Sequence, residues 1–139
     1  MTYESLGLVE SSDVDPELGF LVHLADTTGV TVGLVLCTPA GLVGGRLVGV
    51  ARHFEGLARA MDRVPGQETL GEAVLGMFRL RAAIQSDEHA KRGLPDHGAV
   101  PSGFLHLEDA SLVGPGGQET WLGPWRGRLS EVSGWTFEP

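Results

Sequence analysis

VTVGLVLCTPAGLVGGRLVGV, from Val30 to Val50, is two apolar runs separated by Pro39, Ala40 and Gly41. In the first run Val30, Val32, Leu34 and Leu36 fall on one face, and Thr31, Gly33, Val35 and Cys37 on the other. That period of two is the signature of a strand. A short breaker between two such runs predicts an antiparallel hairpin, with Leu42 to Val50 as the returning strand. Gly44, Gly45 and Gly49 let that return strand bend sharply. Arg46 is expected at its rim, facing outward, because a lone guanidinium is rarely buried without a partner.

Upstream of the hairpin, Asp15 can cap a helix, with Pro16 at its first position and Glu17 at the positive end of the dipole. Leu18, Leu21, Val22 and Ala25 make one stripe, and Gly29 can end the helix in a left-handed conformation. His23 lies beside the stripe and reads as a rim or core residue. Residues 1–12 show weak periodicity and are expected to form a loosely ordered arm. Downstream, ARHFEGLARAMDRV shifts to the helical period, with Phe54, Leu57, Ala58 and Met61 on one face and Pro65 and Gly66 as its stop. Thr69 and Glu72 have capping-box spacing for a longer helix to about Ala90, with Leu70, Val74, Met77 and Ile84 as its expected buried stripe. Lys91 and Arg92 suit its negative end. Residues 51–92 thus read as a helical insertion. The charged, breaker-rich run from Ser86 to Ser102 is expected to be the most mobile stretch.

The chain then returns to strand. FLHLEDASLV, Phe104 to Val113, alternates, and GPGG at Gly114 to Gly117 marks a turn. QETWLGPW is ambiguous, because Pro124 does not suit a central strand. WRGRLSEVSGW supplies a fourth strand over Trp125 to Ser130 and a short last one over Val132 to Phe137, with a kink near Glu131. The expected fold is α+β, since the helices do not alternate with strands in crossovers. It is a small, strongly bent antiparallel sheet or an Sm-like or SH3-like barrel of about five strands, with an N-terminal helix and a helical insertion between the second and third strands.

Composition narrows the function classes. A chain of 139 residues fits one domain, residues 1–139, large enough to bury a core without disulfides. The single Cys37, set in an apolar run, reads as a small buried hydrophobe. The acidic, polar N-terminus does not read as a signal peptide, and no run approaches the length of a membrane span, so a cytoplasmic protein with no membrane partner is expected. Ten basic against 18 acidic residues give a net charge of −8, which disfavours nucleic acid unless the basic residues gather.

No catalytic, cofactor or metal constellation stands out. His53 and Glu55 are too close in sequence to aim together. His106 and Glu108 share a strand face and would need His89 or His97 to complete a metal site; the plainer reading is a solvated face of a half-covered strand. Ser102 and Ser130 lie in none of the sharp turns that expose a nucleophile. Candidate partner-binding residues are Arg46, Arg126, Arg128 and Trp121. The three arginines form one basic spot if the last strands pair near the hairpin, and arginine suits acidic protein surfaces and phosphates alike. At least two of Trp121, Trp125 and Trp135 are expected to fill the core.

Two resemblances follow from these runs. The strand pattern is similar to that of Sm-like small barrels, with LHLEDA at Leu105 to Ala110 and Arg126-Gly127 where that family has its signature segments, although the Phe54 to Ala90 insertion departs from it. That likeness implies an oligomeric, nucleic-acid-binding or other binding module. More specifically, LVHLADTTG at Leu21 to Gly29, the hairpin, HFEGLA at His53 to Ala58, FLHLEDA at Phe104 to Ala110 and WRGRLSEVSGW resemble the gas vesicle accessory protein U family. This second resemblance implies a non-enzymatic role in vesicle assembly or clustering, with no cofactor. The partners it implies are further copies of the chain and gas vesicle shell proteins.

Overall fold

Asp15 and Gly29 bracket the first helix, α1 (Pro16–Thr28), as the sequence predicts. The Asp15 carboxylate accepts from the backbone N–H of Glu17 at 2.8 Å, and Gly29 takes φ 74° at the other end. The computed structural model describes residues 14–64, 66, 68–91 and 103–139. Residues 1–13, where an arm is expected, and the stretch containing His97 and Ser102 lie outside the described residues. The remaining elements are β1 (Val32–Thr38), β2 (Gly41–Val48), α2 (Val50–Asp62), α3 (Glu68–Lys91), β3 (Phe104–Val113), β4 (Glu119–Arg128) and β5 (Gly134–Phe137).

The five strands make one antiparallel sheet in the order β4-β3-β2-β1-β5. Its hairpin is tighter than expected: Thr38 pairs with Gly41, leaving Pro39 and Ala40 as a two-residue turn, and Val30 stays exposed ahead of the strand. β4 starts at Glu119 and so includes all of the ambiguous QETWLGPW except Gln118. Pro124 is tolerated because β4 is an edge strand, where a missing N–H breaks no ladder.

The closed barrel considered above is not formed. β4 and β5 are consecutive yet sit at opposite edges, and no ladder joins them. A 3₁₀ turn, Leu129–Glu131, links them and sends Leu129 and Val132 into the core in place of backbone pairing. The opposite edges of a flat five-stranded sheet are about 19 Å apart, whereas this link reaches roughly 16 Å, so the sheet must curl. Register shifts between Gly44 and Arg46 and around Ala110 accommodate the curl. Asp109, at φ 53°, takes the left-handed conformation that aspartate tolerates better than most residues.

Leu18, Val22 and Ala25 of α1 pack on Leu34, Leu36, Val43, Leu47, Leu105 and Leu107 of the sheet. Trp125 and Trp135 lie against this core, as expected of two of the three tryptophans. The Trp135 indole N–H donates to the free oxygen of the Asp15 carboxylate at 2.9 Å, tying the last strand to the start of α1. The helical insertion sits on the other face. Val50 N–H, at the start of α2, donates to Asp26 of α1 at 2.9 Å. Burial raises the Asp26 pKa, against the lowering effects of that bond and of His23.

The packing of α3 differs from the expected stripe. Gly71 is buried and Val74 and Phe78 are half-buried towards α2, where Phe78 stacks on Phe54 at 4.8 Å. Leu70 and Met77 are instead exposed, and the side chain of Ile84 lies outside the described residues. α3 is apolar on more than one side, so spacing alone does not say which side meets α2. Cys37 is exposed as well, correcting the buried reading; it points away from the Leu34 and Leu36 face near the end of β1.

The turn from β2 into α2 sets how closely α1 approaches. A Cβ on Gly49 would lie 2.5 Å from the Ala25 carbonyl oxygen and 3.2 Å from Asp26 Cα, both backbone atoms. Gly49→Ala should therefore cost about 1–3 kcal/mol. Gly19→Ala, in α1 with open space around it, should stabilise by about 0.5–1 kcal/mol through helix propensity. Urea midpoints of the two variants should move in opposite directions.

Candidate functional site

Alternation along β3 sends Leu105 and Leu107 into the core and Phe104, His106 and Glu108 to the opposite face of the sheet. β4 pairs there with His106 opposite Arg126 and Phe104 opposite Arg128. The first turns of α2 lay Arg52, His53 and Phe54 over the same patch. The His53 and His106 rings lie 4.5 Å apart, and His53 meets Phe54 edge-on at 5.1 Å. The Arg126 guanidinium rests 3.9 Å from the centre of the Phe104 ring and 6.0 Å from that of Phe54. Arg128 lies 5.7 Å from Phe104. At one side of the patch Arg52 forms a two-pronged pair with Glu108, its Nε 3.0 Å from Oε2.

His53 and His106 are the two buried polar residues among those described, at 5% and 1% exposure. His53 Nδ1 and both ring nitrogens of His106 have no hydrogen-bond partner among the described residues. Burial pushes the His106 imidazole down to about 3, with His53 and Arg126 adding to the effect. Burial, and then Arg126, brings His53 down to about 4. Both rings are therefore neutral at pH 7. Removing water from an imidazolium beside a guanidinium disfavours the charged form twice over.

This corrects the reading of His106 as part of a solvated face. The alternation was right about which face, but α2 covers that face. The proximity of His53 to His106 has no local signal, since 53 residues of sequence separate them; nor does the Arg52–Glu108 pair. Among the described residues no group of three or more His, Cys, Asp or Glu could hold a metal ion. The side chain of His89, like His97, lies outside them.

The sequence-predicted partner-binding residues divide. Arg126 and Arg128 come together over Phe104. Arg46 is on the same face but opposite Glu108, and it donates to the Thr31 hydroxyl at 3.3 Å, so it does not join the other two. Trp121 stands on the edge strand with 66% of its surface exposed. The result is a pair of arginines, Arg126 and Arg128, bordering a buried, neutral histidine pair, with Trp121 exposed further along β4 opposite Ser111. Guanidinium groups over aromatic rings are oriented yet remain available to an acidic surface.

Residues 15–139 match the family model described as Gas vesicle protein GvpU-like, and the chain belongs to that family. The match covers every described element. No curated protein sequence matches the chain.

The histidine pair makes the fold acid-sensitive. The folded pKa of each ring lies below the ordinary value of 6.5, so below that pH the unfolded chain binds more protons. Stability is full above about pH 6.5 and falls as the pH drops towards the folded values. The loss between pH 7 and pH 5 should be about 2 kcal/mol per histidine. His106→Leu should remove roughly half of that slope in urea denaturation measured across the pH range.

Proposed function

We propose that this member of the GvpU-like family is a non-enzymatic, cytoplasmic accessory protein that associates with itself and with the gas vesicle shell, promoting the assembly or clustering of vesicles. The family membership over residues 15–139 carries this reading. The rim along β4 supports it. On a chain of net charge −8, Arg126 and Arg128 concentrate positive charge at one end of β4, and Trp121 exposes its indole nearer the other end; arginine and tryptophan are the residue types enriched at the energetic centre of protein interfaces. A nucleic acid is a poor match for a net charge of −8, which repels phosphates overall.

Gas vesicles float, which makes the test direct. The wild-type chain mixed with purified vesicles should rise with them on centrifugation. Arg128→Glu combined with Trp121→Ala should lower the floated fraction by about tenfold at limiting vesicle concentration, the effect expected of losing central interface residues. Both positions are exposed, so the variant should keep its circular dichroism spectrum. A wild-type chain that stays below the vesicle layer would sink the vesicle reading. Unchanged flotation of the variant would move the contact elsewhere on the molecule.

A further inference from the structure

The face of α3 turned away from α2 is itself apolar. Leu70, Met77 and Leu80 are 48%, 54% and 62% exposed, and Ala73 and Gly76 between them are exposed as well. Ala73, Gly76 and Leu80 follow the three-four spacing of a helix that packs on another helix. Leu70 and Met77 flank this line on one side, Glu72 and Arg79 on the other, at the 100° per residue of an α-helix. A surface helix with one apolar stripe needs one partner, and α3 has a second stripe.

From this we infer that α3 pairs antiparallel with α3 of a second copy of the chain, across a two-fold axis that passes between Ala73 and Gly76. This rests on the self-association proposed above and names its surface. The occupant follows from charge and shape. An antiparallel two-fold brings like flanks together. One register then sets Ala73 against Gly76, Leu70 against Met77, and Glu72 against Arg79 of the second copy, each contact occurring twice. The acid and the base on this face therefore satisfy one another without any other partner. Ala73 and Gly76 at the axis let the backbones approach closely enough for the flanks to meet, and a Cβ on Gly76 would meet nothing within 4 Å in the single chain. The helix is 24 residues long, about 36 Å, ample for such a contact.

Sedimentation equilibrium of the full chain without vesicles tests this. Wild type should be a concentration-dependent dimer. Gly76→Glu, which improves helix propensity and meets no neighbour within its own chain, should weaken it by about tenfold or more while folding normally. Glu72→Arg and Arg79→Glu should each weaken self-association. Mixing these two variants should restore a heterodimer, because each then supplies the charge that the other lacks. A wild-type chain that is monomeric at every concentration would overturn the proposal. So would a dimer indifferent to Gly76→Glu, or single charge variants that mixing does not rescue. If flotation with vesicles fails while the dimer behaves as stated, the vesicle reading falls alone; a monomer that still floats leaves that reading standing and removes this one.

Discussion

β3 is covered on both faces, and the rest of the molecule is arranged around that constraint. Leu105 and Leu107 are fully buried in the core beneath α1, while His106 between them is 1% exposed beneath α2. A half-buried strand on an antiparallel sheet needs one covering layer, but this one has two. The helical insertion is therefore part of the fold's support and not a loose excursion between β2 and β3. Gly49 and the Asp26–Val50 hydrogen bond fix where it begins, since they bring α2 against the end of α1. The second layer carries a cost: it puts two imidazoles in a dry place with ring nitrogens unpaired among the described residues, which is tolerable because a neutral imidazole loses far less hydration than an ion does.

Curling without closing solves a different problem. A closed barrel has no edges, and a flat sheet exposes two long ones. Here β5 is four residues long and is pinned through Trp135 to the Asp15 cap, so one edge is short and tethered. The other edge, β4, spans ten residues but carries Pro124, Gly123 at φ 72° and arginines at its far end. Proline and charge on an edge discourage indiscriminate strand pairing. β4 is thus better suited to recognition by side chains than to adding strands.

Local rules made α1 readable in full: its cap, first proline, buried stripe and left-handed end depend only on neighbours in sequence, and all are where the spacing put them. The hairpin and β3 were readable for the same reason. What failed depended on which surfaces meet. The spacing of Leu70, Val74 and Met77 reports apolar character but not direction, and α3 has apolar residues around most of its circumference, so of the expected buried stripe Val74 is half-buried while Leu70 and Met77 are exposed. The alternation of β3 placed His106 and Glu108 together correctly, yet the layer that buries one and leaves the other half-exposed comes from α2, more than fifty residues earlier. Convergence of Arg46 with Arg126 and Arg128 required β2 and β4 to be neighbours, but β3 lies between them. The open sheet, too, depends on where Leu129 and Val132 point, and no periodicity covers a three-residue turn.

Charge explains why the two peripheral surfaces differ in kind. A chain with eight more acidic than basic residues repels its own copies once their surfaces come within about a Debye length, roughly 8 Å at physiological salt, and is screened beyond it. Self-association then needs a face where opposite charges are balanced locally and apolar contact takes over at short range. The outer side of α3 has this composition, with Glu72 and Arg79 beside an apolar line. The rim of β4 has the opposite character: Arg126 and Arg128 without an acidic partner on the same strand segment leave an unbalanced positive field, suited to a surface of negative charge and ill suited to meeting itself. Under the two proposals above, copy-to-copy contact falls on the helical insertion and contact with an acidic partner on the sheet edge. β3, covered by both layers, pairs with β4 and carries α2 on its face, so it lies between the two surfaces.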